Sequence, residues 1–356
     1  MKKILLINQD TIPHYRVEVY EYMRKFLNEK GYNLSVISGG IQKGTEEESE
    51  FSYKKTELSF GNLKKYIADF NPKIIIFWVN LKYLYLFPTI IFAKMHGIKT
   101  IYWGHGRDLL DKNSLPKNIA YYIEQWLCDA LVLYAEHLKI YVSKRFYKKL
   151  FVANNTLNAK QFHINTAEKE RILLEFGIQT KKNIICIGRL QKRKRIGNLV
   201  KAFKALGNKD VGLILAGPDT DQILDLYDGS NIYKIGPIYG RKKFELLSAS
   251  DIFCIPGAVG LSIVDAFYCG LPIVTEDGDE SPEIMYLKNG INGFIVNRGD
   301  ISELSLKLKT LIENDRLREK FSQEAMAEIA RNGNMEVMCN GFLKAISYTL
   351  NQKKEP

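Results

Sequence analysis

Arg189 and Lys194 stand five residues apart in Gly-Arg-Leu-Gln-Lys-Arg-Lys-Arg, directly after the apolar run 184–187. Arginine offers a planar fork of donors and lysine a compact point charge. Set together just past a strand, the pair can grip two adjacent phosphate groups. The neighbouring Lys192, Arg193 and Arg195 read equally well as solvated charge. A second constellation fills residues 254–272, CIPGAVGLSIVDAFYCGLP. It opens as a buried strand, breaks at Gly257 and Gly260, and continues as a short helix with one carboxylate, Asp265. Glycine lets a backbone approach a ligand closely. A helix entrance presents free N–H groups, and these with the helix dipole favour phosphate. Asp265, about one turn into the helix, is placed to accept hydrogen bonds from a ribose diol, or else is a surface aspartate.

Two histidines occupy comparable positions. His105 lies in Trp-Gly-His-Gly-Arg-Asp, between Gly104 and Gly106 and before Arg107. His14 and Arg16 lie in Thr-Ile-Pro-His-Tyr-Arg, after the first apolar run. Each histidine also has a plain reading as a turn or core residue.

The elements that must position these residues alternate short β-branched runs with helix-like segments. KILLIN, NLSVIS, KIIIFWV, KTIYWG, ALVLYA and LFVAN read as strands of a first half. NIICIG, VGLILAG, NIYKIG, DIFCIPG, PIVTED and GFIVN repeat the pattern after a polar connection at 156–182. RVEVYEYMRKFLNEKG, IGNLVKAFKALG and RKKFELLSAS have helical spacing between them. Such alternation implies α/β architecture with parallel sheets. We expect a first Rossmann-like domain at 1–160, with a helix at about 336–352 packing back onto it, and a second at 161–335. In an open parallel sheet, ligands bind beyond the carboxyl ends of the strands, and two such sheets facing each other make a cleft. The acidic run at 44–50 reads as a solvated loop.

The 356 residues suffice for two domains. The first residues, MKKILLINQD, reach polar side chains too early for a secretory leader, and no run is long and apolar enough to span a bilayer. Cys128, Cys186, Cys254, Cys269 and Cys339 are odd in number and lack a paired spacing, which suits reduced thiols in a cytoplasm. The net charge of +11 is uneven: residues 1–165 carry 24 Lys and Arg against 15 Asp and Glu. The first half is therefore expected to face something anionic. Segment 141–151, YVSKRFYKKLF, mixes Lys144, Arg145, Lys148 and Lys149 with aromatics, as an interfacial helix would. An ordinary amphipathic helix is the competing reading.

GRLQKRK, AGP, GLSIVDAFYCGLPIVTEDGDESPEI and NGINGFIV, taken in order, resemble the retaining glycosyltransferases of the GT-B fold, family 4. The resemblance covers most of residues 183–298. It implies that Arg189 and Lys194 bind the donor diphosphate and that Asp265, in place of a glutamate, binds the donor ribose. It also implies a donor site that includes Gly188, Gly217, Pro237, Ile238, Gly257, Ala258, Val259, Gly260, Leu261 and Ser262, with the base against the backbone of 236–240. The family has a further glutamate, for hydroxyls of the transferred sugar, where this chain has Gly257. Backbone N–H groups of the loop, or the acidic group Asp277, Asp279, Glu280 and Glu283, are candidates to replace it. His105 falls where the family has a histidine near the reacting sugar, and His14, Arg16 and Arg107 fall on the acceptor side.

The implied reaction is sugar transfer from a nucleotide-diphosphate sugar to an acceptor hydroxyl, with retention, without a metal, and without a cofactor. Implied partners are the nucleotide sugar, a glycan or lipid-linked glycan acceptor, and an acidic membrane surface; nucleic acid is not among them. The expected location is cytoplasmic, peripheral on the inner face of the plasma membrane, and the natural setting is bacterial surface polysaccharide synthesis. Other readings stay open: a nucleotide-sugar epimerase or phosphorylase of like architecture, an inactive nucleotide-sugar-binding subunit, and, from charge alone, a nucleic-acid binder.

Overall fold

The computed structural model describes residues 1–42, 51–78, 83–109, 111, 113–159, 168–278 and 281–351. The acidic run 44–50 and residues 160–167 of the polar connection lie outside the described residues. The chain divides into two compact units, one of residues Met1–Asn158 with Asn334–Pro356, the other of Ala159–Gly333.

The first unit runs β1 (Lys2–Ile7), β2 (Thr11–Ile12), α1 (His14–Glu29), β3 (Tyr32–Ser38), β4 (Gly40–Ile41), β5 (Lys54–Lys55), α2 (Phe60–Phe70), β6 (Ile74–Trp78), α3 (Leu86–Met95), β7 (Lys99–Gly104), α4 (Leu115–Leu127), β8 (Ala130–Leu133) and β9 (Leu150–Val152). Among the described residues, seven parallel strands form its main sheet in the order β5-β3-β1-β6-β7-β8-β9. Ile4, Leu5, Leu6 and Ile7 are all buried, as expected of a strand covered on both faces. α1 buries Val17, Tyr20, Met23 and Leu27, and Gly31, with φ of 84°, supplies the left-handed residue beyond its end. The ladder β2–β4 was not legible in the sequence. It ties the loop after β1 to the loop after β3.

The second unit runs α5 (Lys169–Glu175), β10 (Lys182–Ile187), α6 (Ile196–Leu206), β11 (Val211–Ala216), β12 (Ile232–Ile235), α7 (Gly240–Ser248), β13 (Ile252–Cys254), α8 (Ser262–Tyr268), β14 (Ile273–Glu276), β15 (Gly293–Val296), α9 (Ile301–Glu313) and α10 (Asp315–Asn332). Six parallel strands of the described residues form its sheet in the order β12-β11-β10-β13-β14-β15. The order reverses beside β10, so the loops after β10 and β13 flank a topological switch point, where such sheets take ligands. The last helix, α11 (Met335–Asn351), lies on the first sheet. Phe342 stands edge-on to Trp103 with ring centroids 5.0 Å apart. Gly341 packs so closely that a Cβ would stand 2.3 Å from the Val152 carbonyl oxygen.

One element differs from expectation. Residues 144–149 form a 3-10 turn that runs into β9, not an amphipathic α-helix. The aromatic Phe146 is buried against Tyr122 of α4, and the next residues are needed as an edge strand beside β8. The five cysteines are free thiols, four of them buried.

Candidate active site

β10 ends at Ile187, and Gly188 turns the chain with φ of 128°. A Cβ there would meet Ser262 Oγ at 3.2 Å and Lys194 Nζ at 3.6 Å, so three separate segments converge on one point. Lys194 is buried, and its ammonium donates to the Ala258 carbonyl at 3.1 Å. Ser262 donates to the Ile187 carbonyl at 3.3 Å. Arg189 is exposed and, among the described residues, has no ion-pair partner. Gly217, with φ of 125°, ends β11 so close to β10 that a Cβ would stand 2.2 Å from the Gly188 carbonyl oxygen. Its place is dictated by packing of the two strand ends.

The basic run separates into different roles. The Lys192 N–H donates to Asp221, and Arg193 Nε donates to Gln191. Arg195 adopts a left-handed φ of 54° and donates through Nη2 to the Pro256 carbonyl at 2.7 Å. Its Nη1 lies 3.3 Å from Oε2 of Glu276, which is wholly buried. Asn198 and the Gly299 N–H complete the shell of that carboxylate. Arg195 thus neutralises a buried charge and clamps the loop after β13 to the end of β14.

Within 254–272, Gly257 and Gly260 behave differently. The Gly257 N–H donates to the Lys194 carbonyl at 2.9 Å, and a Cβ there would stand 2.1 Å from the Arg193 carbonyl oxygen. The close approach expected of a ligand at this glycine is made by the chain's own segment 193–194. At Gly260 the φ is 61° and nothing lies within 4 Å of the Cβ position. Its N–H reaches Ser281 Oγ at 3.3 Å. Val259 is buried, and Leu261 leads into α8.

Asp265 is buried rather than on the surface. Its Oδ2 accepts from Lys243 Nζ of α7 at 2.9 Å, and its buried Oδ1 has no partner among the described residues. Exposed Pro237 and buried Ile238 line the loop that leads from β12 into α7. Of the acidic group, Asp277 is exposed and Glu283 is buried in the 3-10 turn Pro282–Tyr286. Asp279 and Glu280 lie outside the described residues.

In the first unit, the glycines beside His105 have a packing cause. A Cβ at Gly104 would stand 2.6 Å from the Tyr102 hydroxyl, and that hydroxyl accepts the Gly106 N–H at 2.7 Å. His105 packs on Tyr134, with ring centroids 4.7 Å apart. Burial, with the Arg16 guanidinium adding to it against Asp108, holds the imidazole down from its usual 6.5 to about 4. His105 is therefore neutral at physiological pH, with one donor and one acceptor nitrogen. Arg16 is buried beside the rings of Trp103 and Tyr134. Its Nη2 donates to Asn155 at 2.7 Å, while Nε and Nη1 have no hydrogen-bond partner among the described residues. Arg107 Nε donates to Asn118 at 3.2 Å and its guanidinium lies over the Tyr141 ring. His14 opens α1, half-buried, edge-on to Tyr15. A cavity of about 530 Å³ lies at the carboxyl edge of this sheet, lined by Asp10, Lys55, Glu57, Tyr83 and Tyr85 among others.

Residues 168–328 match the family described as glycosyl transferases group 1. That stretch contains Gly188, Arg189, Lys194, the 257–262 loop and Asp265. An uncharacterized glycosyltransferase of Methanocaldococcus jannaschii is 23% identical, over 98% of this chain and 99% of its own length. A Campylobacter jejuni N,N'-diacetylbacillosaminyl-diphospho-undecaprenol alpha-1,3-N-acetylgalactosaminyltransferase is 23% identical over 53% of this chain and 51% of its own. The crystal structure of Anabaena HepE in complex with UDP-glucose superposes with a TM-score of 0.77 at 15% identity, covering 98% of this chain and 100% of that one. The fold is that of the GT-B glycosyltransferases: α/β, two parallel-sheet domains.

Three further residues beside these positions leave no sign in the sequence. Lys243 reaches Asp265 from a helix 22 positions away. Ser281 reaches Gly260 across 21. Arg195 looked like one more member of a basic run, and its target Glu276 lay in a strand with no pattern linking the two.

Proposed function

We propose that the chain is a retaining glycosyltransferase of family 4 that moves a sugar from a nucleotide-diphosphate sugar to an acceptor hydroxyl. The observation that carries this reading is the convergence of Lys194 Nζ and Ser262 Oγ at Gly188, with exposed Arg189 on the next residue. It supports a diphosphate site just past β10, within the stretch that matches the glycosyltransferase family.

In this reading, the bond from the sugar anomeric carbon to the diphosphate oxygen breaks, and the acceptor oxygen bonds to that carbon on the same face. The acceptor proton passes to the leaving phosphate. Negative charge grows on the diphosphate, and Arg189 and Lys194 stabilise it as preorganised cations. No metal is required of that arrangement, and full turnover in EDTA is the expected result. Asp265 Oδ1, buried and without a hydrogen-bond partner among the described residues, accepts a ribose hydroxyl, while Lys243 holds the other oxygen. The loop containing Pro237 and Ile238 takes the base. UDP-hexoses are the first donors to test, since the Anabaena neighbour holds UDP-glucose.

The first unit takes the acceptor. Neutral His105 offers a hydrogen bond to the acceptor, and Nε and Nη1 of Arg16, without a hydrogen-bond partner among the described residues, supply donors for an anionic group. The cavity lined by Tyr83, Tyr85, Asp10 and Glu57 offers aromatic faces and carboxylates, which suit a sugar ring. A lipid-linked saccharide of bacterial surface polysaccharide synthesis fits the basic first half and the diphospho-undecaprenol acceptor in the name of the Campylobacter relative.

Thermal shift across a panel of nucleotide sugars, then turnover with the best donor, tests the reading. The Arg189→Ala/Lys194→Ala double variant is expected to lose both. Unchanged donor affinity and turnover in that variant overturns the proposal.

A further inference from the structure

Helix α4 is inside out. Its buried residues are Glu124 and Gln125, while Leu115, Ile119, Tyr122, Ile123 and Trp126 are 40–69% exposed. Their spacing, i, i+4, i+7, i+8 and i+11, places them along one outward stripe. The polar side of the helix is occupied in holding the loop after β7. Gln125 donates to the Gly106 carbonyl at 2.7 Å, Asn118 accepts from Arg107, and Lys117 pairs with Asp108 and Asp111. Glu124 is buried away from the exposed stripe, and that burial pushes its carboxyl well above the usual carboxylate range. Neighbouring α3 exposes Ile91 and Met95 as well.

Cations rim this apolar stripe. Lys94 donates to the Leu127 carbonyl, Lys149 to the Trp126 carbonyl, and Arg145 to the Tyr122 hydroxyl at 2.7 Å. Lys144 and Lys148 of the adjacent 3-10 turn are exposed beside them. The acidic side chains of these segments are already engaged: Asp108 and Asp111 by Lys117, Asp129 by Lys99, Glu136 by Lys139.

We propose that the outward face of α4, with its rim of Lys94, Lys144, Arg145, Lys148 and Lys149, docks the chain on an anionic lipid bilayer. Apolar side chains enter the acyl boundary, Tyr122 and Trp126 sit at the headgroup level, and the cations meet anionic headgroups. A symmetric pairing of two copies through this stripe would bring like-charged rims together, so charge favours the bilayer over a second chain. The inference rests on this surface alone and is independent of the donor chemistry.

Flotation of the full chain with vesicles tests it. Binding is expected to vesicles enriched in phosphatidylglycerol and not to pure phosphatidylcholine, and to weaken at high salt. Ile119→Ser/Ile123→Ser/Trp126→Ser is expected to reduce binding about tenfold or more, and Lys144→Gln/Arg145→Gln/Lys148→Gln to abolish the preference for anionic lipid. A blue shift of emission on vesicles, absent in Trp126→Phe, would place the indole in the interface. Thermal shift with the donor nucleotide is expected to be unchanged in all of these variants, which separates failure here from failure of the donor reading. Equal flotation of parent and apolar triple variant overturns the proposal. So does a parent that sediments as a dimer, ignores vesicles, and becomes monomeric in the triple variant.

Discussion

The Gly257 amide donates to the Lys194 carbonyl at 2.9 Å, and the glycine lies so close that a Cβ would stand 2.1 Å from the Arg193 carbonyl oxygen. The loop after β13 and the turn after β10 are therefore zipped together backbone to backbone. Lys194 is held by the same contact from the other side, through its ammonium on Ala258. The position that carries a glutamate in the resembling family is sealed here.

Restoring a side chain at this position should damage the protein. Gly257→Ala is expected to cost about 2–4 kcal/mol, because the obstacle is backbone and cannot rotate away. Gly257→Glu should be worse, and should weaken donor binding by displacing Lys194. Chemical denaturation of both variants, with donor thermal shift, checks this; a stable Gly257→Glu with improved turnover contradicts it.

Asp265→Asn keeps the volume but removes the charge opposite Lys243. Breaking this mostly buried pair is expected to cost about 1–3 kcal/mol. The functional signature is more specific. The parent should favour ribonucleotides over 2′,3′-dideoxyribonucleotides, and the variant should lose that preference. Competition binding with the two nucleotide types reads it directly.

Arg195→Ala leaves Glu276 buried without its cation. A loss of about 3–5 kcal/mol is expected, whereas Arg189→Ala, on the surface, should stay within about 0.5 kcal/mol of the parent. Turnover should show the opposite ranking for the fraction that remains folded. Urea melts and single-turnover kinetics on the two variants separate a structural arginine from a diphosphate-binding one.

His105 gives a pH signature. Its folded-state value of about 4 lies below its usual 6.5, so the unfolded chain binds the proton more readily between them. Stability is therefore expected to fall as pH drops from about 6.5 toward 4, for this group, and to be unaffected by it above that window. His105→Gln should flatten this part of the stability profile. Melting temperatures at closely spaced pH values compare the two.

Much of the fold was open to reading in the sequence because strand and helix periodicities are local. Each strand run proposed from β-branched composition corresponds to a strand, and the helical segments ending at Gly31 and Gly207 end where those glycines take positive φ. The short ladder β2–β4 was not readable, since two-residue strands carry no period. Segment 141–151 misled because alternating aromatics and lysines fit an amphipathic helix as well as a 3-10 turn before an edge strand.

The sequence by itself determined the α/β alternation, the strand ends where polar residues gather, and the candidates Arg189, Lys194 and Asp265, because chemistry and spacing along the chain are local properties. Only the tertiary structure decided that Arg195 of one basic run faces a buried carboxylate while Arg189 stays exposed without an ion-pair partner among the described residues. It decided that Gly257 is closed and Gly260 open, and that α4 turns its apolar side outward. These outcomes depend on what lies across from a residue, often tens of positions away in the chain. A linear pattern specifies a face but not the neighbour that meets it.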